Sequence, residues 1–297
     1  MVLGFLPLLG YSPVSTPSTP SHRGSVTPLH LIVVAIVQGI TEFLPISSSG
    51  HLALVPKLAC WPDQGLLIDV AVHIGTLGAV ITYLWRDVWL MLTAVTRFGA
   101  GLRDPGVRLI ILLAIATVPV LIAGLLIHEY AGNALRDLVV IGWTTLGFGL
   151  VLYACDRMGR TTQGLDRMTR STALLIGLAQ IAALIPGSSR AGVTISAARA
   201  LGYDRQDAAR FSMLLSIPTI IGAGALASLD LVKTGDAALQ ADAVIAAALA
   251  FVTAYIAIAL MMRWLRRASF TPFVVYRIIL GGGLLAFAYT GAQFCGG

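Results

Sequence analysis

Apolar residues gather along this chain into eight runs of helical length, at about 29–45, 66–85, 108–127, 138–155, 172–186, 208–229, 243–262 and 273–292. Six are long enough to cross a hydrocarbon core of about 30 Å at roughly 1.5 Å of rise per residue. The runs at 29–45 and 172–186 are shorter. Each breaks at a proline, Pro45 or Pro186, that opens a Ser- and Gly-rich stretch. Such breaks are tolerated in lipid only where protein or a water-filled cavity covers the freed backbone groups. The pattern predicts an all-α polytopic membrane protein with a single transmembrane domain over 28–297.

Loop charge orients the runs. Arg86, Arg97, Arg103 and Arg108 flank one connection, Arg157, Arg160, Arg167 and Arg170 a second, and Arg263, Arg266 and Arg267 a third. The alternate connections carry only Lys57, Arg136 and Lys233. With the Arg-rich connections in the cytoplasm, the long runs alternate correctly. Parity then forbids the 172–186 run from crossing, so it enters and returns. The order short broken helix, polar break, long helix occurs twice, with the two long helices crossing in opposite directions. This predicts an inverted-topology repeat, repeat one at about 28–155 and repeat two at about 172–292. It contains six spanning helices and two re-entrant helical hairpins.

The composition agrees, with a mean hydropathy of +0.85. The net charge of +6 sits between apolar runs, so it is read as topology-setting loop charge and no nucleic-acid partner is expected. Residues 1–27, with Pro13, Pro17 and Pro20 among Ser and Thr, are expected to lack fixed structure. Their apolar start lacks the basic region of a signal peptide and is broken by proline. Cys60, Cys155 and Cys295 match no metal spacing and are read as small apolar residues. A Cys60–Cys295 disulfide is compatible with this topology, which brings both to one face.

Against this apolar background two polar clusters stand out, because an ionisable group at membrane depth costs roughly 2.5–3.5 kcal/mol on insertion scales. Gln38 and Glu42 share a helix face, and the carboxylate can ligate a hard divalent cation or act as a base. Capping or packing is the alternative for both. Ser47, Ser48 and Ser49 follow the Pro45 break. Their hydroxyls and N–H groups can form an anion site, and one can be a nucleophile if His51 accepts its proton. Alternatively they only satisfy the backbone of a broken helix. Arg190, beside Ser188 and Ser189, can grip phosphate with its planar fork, or else snorkels to the interface. Asp69 and His73, one turn apart, are a supporting pair of the site or a structural hydrogen bond. Arg277, inside the last apolar run, needs a partner.

The segments QGITEFLPISSSGHL (38–52), DVAVHIGTLGAV (69–80), PGSSRAG (186–192), FSMLLSIP (211–218) and SFTPFVVYR (269–277) resemble the undecaprenyl-diphosphatase family. This is the bacitracin-resistance family of bacterial inner-membrane lipid phosphatases, and the resemblance runs from about 28 to 292. It implies hydrolysis of undecaprenyl diphosphate to the monophosphate, recycling a lipid carrier for envelope polymers. It also implies a multi-pass inner-membrane protein with its site facing the periplasm, and it is compatible with a homodimer. The family's acidic motif falls on Gln38 and Glu42, its Ser and His on Ser48 and His51, and its Ser-Arg pair on Ser189 and Arg190. A divalent cation, Mg2+ or Ca2+, would be held by Glu42. Gln38 stands where the family also accepts Glu, and Ala191 where many members have Ser.

The expected arrangement has Glu42, Ser48, His51 and Arg190 as catalytic residues, with Gln38, Ser47, Ser49, Ser188 and Ser189 binding substrate. Ser48 attacks the terminal phosphorus and His51 shuttles the proton, while Glu42 holds the cation or orients His51. In a rival scheme Glu42 and the metal activate water and Ser48 only binds. A lipid transporter with the same repeats is the alternative from another class. The acid-phosphatase-like lipid phosphatases are disfavoured, because their upstream Lys-x6-Arg-Pro string is missing.

Overall fold

Thr27 closes the first turn of the first helix, its hydroxyl accepting from His30 N at 3.2 Å, and Pro28 follows where a missing N–H is harmless. From there the computed structural model describes residues 27–130, 137–159, 161–231 and 237–290. The tail expected to lack structure over 1–27 lies outside the described residues except for Thr27.

The described residues form helices, with an isolated bridge between Gln163 and Tyr203 but no strand among them. In chain order these are α1 (Pro28–Thr41), α2 (Ser48–Ala59), α3 (Leu66–Tyr83), α4 (Trp85–Ala94), α5 (Pro105–Tyr130) and α6 (Leu138–Met158). Then follow α7 (Arg170–Gln180), α8 (Arg190–Ala200), α9 (Arg205–Leu231), α10 (Ala237–Leu265) and α11 (Thr271–Tyr289). Among the described residues five helical stretches are long and apolar enough to cross a membrane: Leu66–Tyr83, Pro105–Leu126, Leu138–Met158, Gln240–Leu265 and Thr271–Tyr289. Large apolar side chains such as Leu125, Val244 and Ile279 point outward, as a bundle solvated by lipid requires.

The two halves interlock. Short α1 packs on α10 of the second half, and short α7 packs on α5 of the first. Both contacts depend on a glycine. A Cβ on Gly39 would stand 2.8 Å from Ala250 O, and one on Gly177 would stand 2.5 Å from Ala116 O. Small residues let backbones approach where lipid offers no hydrophobic drive between helices. The centre of the bundle is completed by α3 against α9 and α10, and by α6 against α11.

The structure departs from the hydrophobic pattern in two places. The polar stretches after Pro45 and Pro186 are not open loops, because they lead within a few residues into α2 and α8. Helix α8 is rich in Ser, Gly and Ala and leaves no apolar stripe to read, while α2 has its few apolar positions cut short by Pro56 and Lys57. The Arg-rich connection after residue 85 also contains a helix, α4. Its Trp85, Trp89 and Leu92 face outward, while Asp87 on the opposite side is buried and takes a forked bond from Arg210 of α9. Outward Trp beside Arg86 suits a membrane–water boundary. Among the cysteines, Cys60 is disulfide-bonded, contrary to its reading as a small apolar residue, and Cys155 is free. Cys295 lies outside the described residues.

One end of the bundle is tied by a buried charge pair that the pattern gave no reason to single out. Asp156 Oδ1 of α6 accepts from Arg199 Nε of α8 at 2.9 Å and from Arg205 Nε of α9 at 2.8 Å, and Oδ2 accepts from Phe270 N before α11 at 3.3 Å. Arg199 also donates to the carbonyls of Asp156, Gly159 and Tyr203. Asp156→Asn leaves the buried guanidinium without its anion, and a loss of about 3 kcal/mol is expected. This would be read as an earlier unfolding transition in detergent. Arg157→Gln, on the exposed side of the same turn, should leave that transition unmoved.

Candidate active site

The two polar breaks meet inside the bundle, and the same backbone device shapes both. Ser47 (φ 73°, ψ 92°) and Ser189 (φ 70°, ψ 112°) lie in a region that side-chain-bearing residues rarely occupy. Each caps the helix that follows, Ser47 Oγ accepting from Gly50 N at 3.4 Å and Ser189 Oγ from Gly192 N at 3.1 Å. Such conformations cost about 1–3 kcal/mol each and persist where the surroundings over-determine them. The first residue after each strained serine is Ser48 in one half and Arg190 in the other.

Both reach Glu42, at the end of α1. Ser48 Oγ donates to Glu42 Oε2 at 2.7 Å, and Arg190 Nη2 donates to Oε1 at 3.3 Å. Gln38 Nε2, one turn back, donates to Oε2 at 3.0 Å. The carboxylate is 2% exposed and the arginine side chain 8%, so this is a desolvated ion pair. His73 Nε2 of α3 stands 3.8 Å from Oε2, while its Nδ1 meets Asp69 O at 2.6 Å. Arg190 is aimed by a second bond, Nη1 to Ser212 O of α9 at 3.1 Å. Its Nε is buried with no hydrogen-bond partner among the described residues, and so is Gln38 Oε1.

The remaining sequence-derived residues are arranged differently from the expected relay. His51 does not bond Ser48. Its Nδ1 meets Ser47 O at 2.7 Å, so that nitrogen carries a proton, and in the neutral ring Nε2 then accepts from Tyr276 Oη at 2.5 Å. The base nearest the Ser48 hydroxyl is Glu42. Ser49 Oγ lies 3.4 Å from Ser47 Oγ, and Ser188 Oγ turns back to Ile185 O at 2.7 Å.

Arg277, fully buried on α11, joins the two breaks. Its Nη1 donates to Pro45 O at 3.2 Å in the first, and its Nη2 to Gly187 O at 3.0 Å in the second. Nε donates to Thr145 O at 2.9 Å, and Nη2 also reaches Thr144 O at 3.4 Å. Thr144 Oγ1 in turn donates to Pro186 O at 2.5 Å. Gly187 (φ 90°) must be glycine, because a Cβ would stand 2.2 Å from Thr144 Oγ1. The partner that Arg277 required is thus a set of carbonyls, two in the helix breaks and two in the facing turn of α6.

The sequence assigns Tyr276 no role and leaves His73 between support of the site and a structural hydrogen bond with Asp69. The only signal for either was a polar side chain inside an apolar run, in DVAVHIG for His73 and FVVYR for Tyr276.

Could a divalent cation sit here? Among the described residues no three His, Cys, Asp or Glu side chains cluster as a ligand set. Glu42 with the unpartnered Gln38 Oε1 nevertheless offers adjoining oxygen donors. That is the partial ligand set a hard cation completes with phosphate oxygens and water.

Apolar helices around a buried carboxylate, hydroxyl and guanidinium define a polytopic membrane protein with a polar cluster inside the bundle. The description "Bacitracin resistance protein BacA" matches residues 31–283, and the chain belongs to this family. The undecaprenyl-diphosphatase of Roseobacter denitrificans is 55% identical over 267 residues, covering 89% of this chain and 100% of that protein. Undecaprenyl-diphosphatase 1 of Rhodospirillum rubrum is 53% identical over 270 residues, covering 89% and 96%. The undecaprenyl-diphosphatase of Ruegeria pomeroyi is 54% identical over 264 residues, covering 88% and 98%.

Removing the Arg277 guanidinium orphans carbonyls in both breaks, at about 1–3 kcal/mol for each buried group left unpaired. Arg277→Ala should therefore unfold several kcal/mol earlier in detergent. Arg277→Lys should recover only part, since an ammonium cannot fork between two loops. An Arg277→Ala protein with wild-type stability would mean that the breaks are held by something else.

Proposed function

We propose that the protein hydrolyses undecaprenyl diphosphate to undecaprenyl phosphate and inorganic phosphate, recycling the lipid carrier for peptidoglycan synthesis and giving resistance to bacitracin. The names of its relatives support this reading. The observation that carries it is the Glu42 carboxylate held between the Ser48 hydroxyl and the Arg190 guanidinium.

In this reading the terminal phosphate enters beside Arg190, whose unpartnered Nε–H donates to it along with N–H groups of the Ser47–Ser49 turn. Ser48 Oγ attacks the phosphorus as its proton passes to Glu42. The Ser–O–P bond forms, the anhydride bond breaks, and undecaprenyl phosphate leaves as an anion. Water then cleaves the phosphoserine, and the proton on Glu42 returns to Ser48. Arg190 balances charge on the transferring phosphoryl group, where such guanidinium contacts are worth about 10³–10⁵ in rate. The second proton of the attacking water stays on the released phosphate, and His51, tied to Ser47 O and Tyr276, steadies the turn that carries Ser48. Ser189 acts through its cap, which fixes the direction of Arg190. A divalent cation, Mg2+ or Ca2+, would be held by Glu42 and Gln38 and would supply further charge neutralisation on the diphosphate.

The proposed topology has six spans and two re-entrant hairpins, α1–α2 and α7–α8. The 27-residue length of α9 supports the sixth span. The site would face the periplasm of the inner membrane. Arg-rich connections on the opposite side support that orientation, as does the disulfide at Cys60, since such bonds persist in oxidising compartments.

Phosphate release from a polyprenyl diphosphate by purified protein in detergent should fall at least a hundredfold in both Arg190→Ala and Ser48→Ala. Chelation by EDTA should lower it, and Mg2+ or Ca2+ should restore it. Release unaffected by EDTA would remove the cation from the reading. No release by folded wild type, with lipid movement across vesicles intact, would favour translocation instead.

A further inference from the structure

A helix that turns back midway leaves the rest of its track empty. With 14 residues, α1 is about 21 Å long at 1.5 Å per residue, short of a hydrocarbon core of about 30 Å. It seats on α10 at Ala250 and Thr253, through Gly39. Beyond its end the face of α10 that carried α1 has no helix over it, and there the surface opens into a groove of about 750 Å³. Ile40 and Leu44, at the tip of the hairpin, close one end. Ala257 and Leu260 of α10 form its wall.

The other end of the groove is cationic. Arg263 and Arg267 line it beside Trp264, and together with Arg266 they enclose an adjoining hollow of about 240 Å³. None of these three arginines forms an ion pair among the described residues, although Asp87, Asp104 and Asp156 each do. Thr253 to Arg267 covers about 20 Å along the chain axis, close to one leaflet of a bilayer that is about 40–45 Å thick with its headgroups. A site with an apolar track of one leaflet's length and guanidinium groups at headgroup level matches one kind of molecule.

We propose that this groove binds an anionic glycerophospholipid of the cytoplasmic leaflet. Its acyl chains fill the track vacated by α1, and its phosphate lies against Arg263, Arg266 and Arg267. Basic pockets between membrane helices on this side bind such headgroups. Acyl chains also match the length of the track, whereas an undecaprenyl chain would overrun it. Because the inner end touches Leu44, two residues from Glu42, the bound lipid braces the hairpin that carries the carboxylate. The proposal rests on the membrane placement given above and is independent of the catalytic reading.

Native mass spectrometry of the full-length protein tests it, after incubation with equimolar dioleoyl phosphatidylglycerol, dioleoyl phosphatidylcholine and a polyprenyl monophosphate. Wild type should retain phosphatidylglycerol at least fivefold over phosphatidylcholine. Arg263→Gln with Arg267→Gln should abolish that preference. Ala257→Phe should remove the adduct while leaving every charge in place, and Arg103→Gln, an exposed arginine outside the groove, should change nothing. Retention that survives both groove variants, or that falls equally in Arg103→Gln, would overturn the site. Preferential retention of the polyprenyl monophosphate would overturn the assignment of its occupant. Neither result depends on phosphate release.

Discussion

The site depends on one buried guanidinium. Arg277 is fully enclosed, where an uncompensated cation would cost several kcal/mol. The two helix breaks present the opposite problem, carbonyls stripped of their intrahelical partners where water cannot satisfy them. Each problem answers the other, since Arg277 donates to Pro45 O and Gly187 O and finishes on Thr144 O and Thr145 O. Because its fork is planar and rigid, the bonds also fix the spacing between the loops. Reactive side chains from distant parts of the chain therefore meet with little freedom left to lose.

Built on that joint, two helix breaks of matching backbone geometry present different side chains. Ser47 and Ser189 adopt matching strained conformations and cap matching helices. The residue thrown forward is a hydroxyl in one half and a guanidinium in the other. A single carboxylate, Glu42, receives both, while its counterpart position in the second half is occupied by Leu184. The packing follows the same exchange, α1 on α10 and α7 on α5, so neither short helix is held by its own half of the chain alone.

Much of this was legible in the chain before its fold was known. Breaks at Pro45 and Pro186 end two short apolar runs, and the cost of charged groups at membrane depth made the residues beside them candidates. Gln38 with Glu42 follows from helical spacing alone. What stayed hidden was pairing across the sequence. Glu42 and Arg190 are 148 residues apart, and His51 and Tyr276 are 225 apart, so no periodicity connects them. The expected Ser48–His51 pair failed to form for a local reason. The strained turn at Ser47 aims Ser48 inward to Glu42, while His51, a turn later on α2, is drawn to Ser47 O and outward to Tyr276. Helix α4 was missed because its apolar face is short and meets the membrane boundary instead of a core. The Asp156–Arg199 pair was missed because its arginine lies in a helix too polar to read as buried.

The central claim is that two loops from distant parts of the chain grip one phosphate. Its most direct test is a double-mutant cycle on the binding of a non-hydrolysable polyprenyl methylene-diphosphonate. Dissociation constants would be measured for wild type, Ser48→Ala, Arg190→Ala and the double variant. Residues sharing one ligand group should couple by about 0.5–3 kcal/mol, so the double variant should lose clearly less than the two single losses combined. Losses that add to within about 0.5 kcal/mol would mean that Ser48 and Arg190 act at separate places, and the two-loop site would be contradicted.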